Sequence, residues 1–187
     1  MGRAMLRYNL IFGTIAGIIV SALLVLGVVL GGTGGMWGMV FGYLSMLVAM
    51  SFVFVGVKRY RDVEKGGVIR FWPAFGLGFL IALLASLFYV FTWEAYTALS
   101  GGTWMADYMA ATIETRREAG ASPEEIAALA AQMESFAEQY ANWWFRMPVT
   151  LSEILPVGLI VALVSAGLLR NPRFLPAHGA DRPAASP

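Results

Sequence analysis

The chain reads as all-α: a four-transmembrane-helix bundle with an extracytoplasmic amphipathic helical hairpin between helices three and four. Three observations lead there. Of its 187 residues, 58% are apolar and 13% charged, where a soluble domain carries about 25% charged residues. Four windows hold the ~20 mainly apolar residues that cross roughly 30 Å of hydrocarbon. The basic residues fall almost entirely on one side of those windows.

The windows are Leu10–Leu30, Met36–Val57, Phe71–Trp93 and Val149–Leu169, and none carries a charge deeper than its first or last two turns. A charge at mid-bilayer costs at least ~2.5–3.5 kcal/mol, so this restraint marks spanning segments. The first window outruns the ~7–15 residues of a secretory signal core and meets no convincing small-x-small site before Gly31-Gly32; it reads as a retained helix. Gly31–Gly35 links two spans and lacks a phosphate-binding lysine, so it is a tight outer turn.

Residues 94–148 are more than a linker. Ser122-Pro123-Glu124-Glu125 has the form of a capping box with proline at the first helical position, and Gly120 is placed to end a preceding helix. Ile126, Leu129, Met133, Phe136 and Tyr140 then recur at helical spacing, with Met105, Met109, Thr112 and Ile113 forming a shorter stripe upstream. The spacing predicts helices at about 103–118 and 123–143, packed on each other or on the membrane surface. In the last span, Pro156 either kinks the helix and frees the Ser152 carbonyl, or occupies the first turn of a helix that begins near Leu155. Residues 1–171 form the membrane domain. The Pro/Ala-rich stretch 172–187 is expected to be a disordered cytoplasmic tail.

Ten of the thirteen basic residues precede the first window, fill the loop between the second and third, or follow the fourth; Arg116, Arg117 and Arg146 lie opposite. The positive-inside rule therefore puts both termini in the cytoplasm and the hairpin outside. Trp93, Tyr96, Trp104, Trp143 and Trp144 on the outer side, and Tyr8, Tyr60 and Trp72 on the inner, suit interfacial belts. Small residues four apart (Gly13, Gly17, Ser21; Gly38, Gly42; Gly78, Ala82, Ser86; Gly158, Ala162, Ala166) offer every span a close-packing ridge, for the bundle or for a dimer seam.

A net charge of +1 gives no reason for a nucleic-acid partner. With no cysteine, thiolate chemistry is excluded, and the single histidine, His178, lies in the tail. No Walker loop, dinucleotide fingerprint or H-E-x-x-H is present, so no cofactor, metal site or catalytic residue is assigned. The expected partners are the lipid bilayer and either further copies of the chain or a membrane protein.

Glu94 at the end of the third span and Glu153 one turn inside the fourth approach the same boundary. Facing a common cavity, with Tyr89, Trp93 and Asn142 lining the approach, they could share a proton, bind a cation or hold a basic group. Equally, Thr150-x-x-Glu153 reads as a capping box and Glu94 as a marker of the water boundary. Asn142 either bonds the hairpin to the bundle or ends the hairpin's second helix. On the cytoplasmic side, Lys58, Arg59 and Arg61 are placed to fix topology and touch lipid headgroups.

The stretch Ser51 to Asp62, then Phe88 to Glu94, then Thr150 to Gly158 running on to Arg170 resembles a family of small bacterial membrane proteins described as domain of unknown function 4199. The resemblance covers about residues 8–171. It implies a four-helix bacterial inner-membrane protein and lends no activity. Three functions stay open: a structural or interaction bundle presenting the hairpin, a small transporter or ligand-binding bundle using Glu94 and Glu153, and a membrane enzyme working with those two carboxylates.

Overall fold

The structure, a computed structural model, describes residues 2–30, 35–101 and 103–177; among them all regular structure is helical. Helices α1 (Arg3–Val29), α2 (Gly35–Glu64), α3 (Phe71–Leu99) and α6 (Trp143–Leu169) are long and apolar enough to cross a membrane. Between the last two lie α4 (Thr103–Glu118) and α5 (Pro123–Tyr140). At 1.5 Å per residue the spans reach ~40–45 Å, past the hydrocarbon at either end. Large apolar side chains such as Ile18, Val48 and Ile160 are more than half exposed, as a lipid-facing surface requires. The chain is a multi-pass membrane protein.

Glycine and alanine set the packing. Helices α1 and α6 each pack on both α2 and α3. A Cβ on Gly17 would lie 2.5 Å from Phe88, and one on Gly158 would lie 2.8 Å from the Ala82 methyl, so α1 meets α3, and α3 meets α6, almost backbone to side-chain root. The ridges of the first, third and fourth spans are thus consumed inside the bundle. On α2, a Cβ at Gly42 would meet nothing within 4 Å.

Helix ends follow their local chemistry. Ser122 accepts from the Glu125 N–H at 3.2 Å while its own N–H donates to Glu125 Oε2 at 2.8 Å, closing the expected capping box. Gly120, at φ +85°, ends α4 with bonds from Gly120 and Ala121 N–H back to the Arg117 and Arg116 carbonyls. Helix α6 departs from expectation. Asn142 is its N-cap, accepting from the Trp144 N–H at 3.0 Å, so the helix starts well before Val149 and Pro156 lies in its interior. Thr150 does not cap it; its hydroxyl donates to the Arg146 carbonyl, and Glu153 is left without a capping role.

The cytoplasm-assigned end also differs. Arg61 has no exposed surface and cannot reach a headgroup: its guanidinium donates to the carbonyls of Phe174 and Leu175 and to Asp62. Phe174 packs on the core, edge-on to Phe54, so residues 172–177 return along the bundle as a strap anchored at Phe174 and at the Phe174 and Leu175 carbonyls. Lys58 is bound to Asp62, and only Arg59 of the three basic residues is freely exposed. Tyr8 and Tyr60 are buried against each other instead of forming a belt, while Trp72, Trp143 and Trp144 stay exposed. His178, the rest of the tail and most of the Gly31–Gly35 turn lie outside the described residues.

Candidate ligand-binding site

A cavity of about 550 Å³ lies among all six helices, within the ~300–1,000 Å³ usual for small-molecule sites. Helices α1 and α2 supply an apolar wall that includes Leu23, Leu24, Met39 and Met46. Gly38 and Gly42 line it too, so the small-residue ridge of α2 makes space where the other three make contact. Opposite stand Tyr89 and Trp93 from α3, Tyr140 from α5 and Glu153 from α6, with one stripe of α4 running from Trp104 through Tyr108 and Thr112 to Arg116.

Glu153 is the singular member. It closes the third turn of α6, Tyr89 lies ten residues from the end of α3, and Tyr43 eight residues into α2; each is thus ~12–15 Å from its helix end. The Glu153 carboxylate sits beside the Tyr89 hydroxyl. Among the described residues no lysine or arginine forms an ion pair with it, and the side chain is exposed. An ionisable side chain so placed on a spanning helix, with the Tyr89 hydroxyl beside it, is open to a group of complementary charge.

Glu94 is elsewhere. Arg146 holds it through Nε to Oε1 at 2.8 Å and Nη2 to Oε2 at 2.6 Å, a bidentate pair outside the cavity lining. Arg146 also donates to the Tyr140 carbonyl at 3.1 Å. Trp93, assigned to a belt, is buried: its Nε1 donates to the Tyr140 hydroxyl at 2.8 Å, and Trp104 meets it edge-on at 4.7 Å. Burial pushes the Tyr140 hydroxyl above its ordinary range, keeping it protonated near neutral pH. Of the five residues expected to share a site, the fold therefore brings together Tyr89, Trp93 and Glu153. Asn142 serves as a cap and Glu94 as an ion-pair partner.

Among the aromatic and polar cavity residues, Tyr43 and Tyr108 were not singled out from the sequence, Arg116 was counted only for topology, and the α2 glycines were read as a packing ridge rather than as space-makers. Tyr43 carried a signal, the lone phenol of the Met36–Val57 window.

The match to known families covers the same ground. Residues 11–171 match a family described as protein of unknown function (DUF4199). The chain belongs to that family. The DUF4199 match spans every helix of the cavity, from α1 to α6, and stops at the strap. No curated protein and no solved structure matches the chain. For this DUF4199 chain the chemistry rests on the residues themselves: one deep carboxylate, a set of aromatic faces and phenols, and an apolar wall. Among the described residues, no three acidic or histidine side chains gather to hold a metal ion.

Proposed function

We propose that this protein is a small ligand-binding membrane bundle whose cavity admits a solute to Glu153. One observation carries the reading: a carboxylate ~15 Å below its helix end, without an ion-pair partner among the described residues, facing a cavity lined by all six helices. A charge retained at that depth is a functional feature by default. Acid–base catalysis by two carboxylates is disfavoured, because Arg146 occupies Glu94. The basic asymmetry supports an arrangement with both termini in the cytoplasm, which turns the cavity toward the outer face. A second reading, an interaction bundle presenting α4 and α5, draws support from α4, which has no buried residue of its own.

The chain contains no cysteine, so single cysteines report access cleanly. Gly42→Cys, on the cavity wall, is expected to react with a water-soluble maleimide in membranes, while Val48→Cys on the exposed apolar face stays unreacted. A silent Gly42→Cys in folded protein would remove the cavity reading.

A further inference from the structure

We infer that the cavity's occupant is a lipophilic organic cation, an ammonium or phosphonium centre carrying apolar arms; this assignment rests on the cavity reading above. The charge is specified by Glu153, the acidic residue of the lining. The counter-charge in that lining, Arg116, lies twelve residues along α4 from Trp104, ~18 Å of helix, and Trp104 is the member that packs beside Trp93 and Tyr140. Arg116 thus sits at the far end of the α4 stripe from Trp104.

The surroundings specify the body of the ligand. Tyr89, beside the Glu153 carboxylate, and the mutually packed Trp93, Trp104 and Tyr140 line the same cavity, and ring faces attract a diffuse cation more strongly once water is stripped away. A small hard metal ion would instead need several oxygen ligands, and no such group of acidic residues exists among the described residues. The α1–α2 wall supplies aliphatic surface for the arms, with Met39 and Met46 able to conform to different shapes.

Tetraphenylphosphonium tests the assignment, with neutral triphenylphosphine oxide as the uncharged comparison, by equilibrium dialysis against the detergent-purified full chain. Expected results are binding to the native protein and slowed maleimide labelling of Gly42→Cys. Glu153→Gln is expected to weaken binding at least about tenfold with an unchanged unfolding midpoint, and the phosphine oxide to compete poorly. Glu153→Asp keeps the charge and is expected to retain most of the binding. Equal binding to native protein and Glu153→Gln, or no binding while Gly42→Cys still labels, overturns the cation assignment and leaves the cavity standing. Absence of labelling overturns both.

Discussion

Arg146 grips Glu94 at two points, 2.8 and 2.6 Å, and so ties the start of α6 to the last turns of α3. The same guanidinium reaches the Tyr140 carbonyl, and Tyr140 accepts from Trp93. Through these bonds the end of α5 is fixed over the cavity. The two side chains are only 16% and 19% exposed, so water replaces a lost partner poorly. Glu94→Gln or Arg146→Gln is expected to cost about 1–3 kcal/mol. Thermal unfolding in detergent measures it, and the double variant should lose less than the two singles summed.

The glycine ridges differ in kind. Gly17→Ala and Gly158→Ala force a methyl into space 2.5–2.8 Å from Phe88 and Ala82, whereas Gly42→Ala meets nothing within 4 Å. The first two are expected to destabilise by about 1–3 kcal/mol and the third to be close to neutral, read from unfolding midpoints. A large loss at Gly42 would mean that α2 is packed where the cavity is drawn.

Arg61 holds the strap. Arg61→Ala is expected to free residues 170–177 to protease and to lower the unfolding midpoint, since it strands the Phe174 and Leu175 carbonyls and leaves Asp62 with Lys58 alone. Arg61→Lys is expected to restore little, because a lysine lacks the planar fork that serves two carbonyls and a carboxylate together. Unaltered cleavage in both variants would show that the strap is held by Phe174 alone.

Much of the fold was legible because burial in lipid leaves a one-dimensional trace: four apolar windows became α1, α2, α3 and α6, and Ser122 with Gly120 marked the ends of α5 and α4. What could not be read was pairing between distant segments. Glu94 looked like a partner for Glu153 because both lie near one boundary, but side-chain direction on two helices decides such matters, and Arg146, counted only for topology, claimed Glu94. Thr150-x-x-Glu153 fitted a cap because local spacing cannot reveal that Asn142 had already started the helix two turns earlier. Likewise Arg61 sits among basic residues that suit a headgroup region, and only the returning strap shows why it is buried.

Orientation has its own test. With ten of thirteen basic residues on one side, reporter fusions after Arg61 and after Gly120 are expected to report opposite faces of the membrane. The same face for both would refute the arrangement.

Access at position 153 itself bears most directly on the cavity. In the cysteine-free chain, Glu153→Cys should react with a charged, membrane-impermeant thiol reagent, while Ile160→Cys, about two turns on and 60% exposed on the apolar surface, should not. A silent Glu153→Cys, or equal reaction at both positions, would contradict a water-reachable carboxylate on the cavity wall.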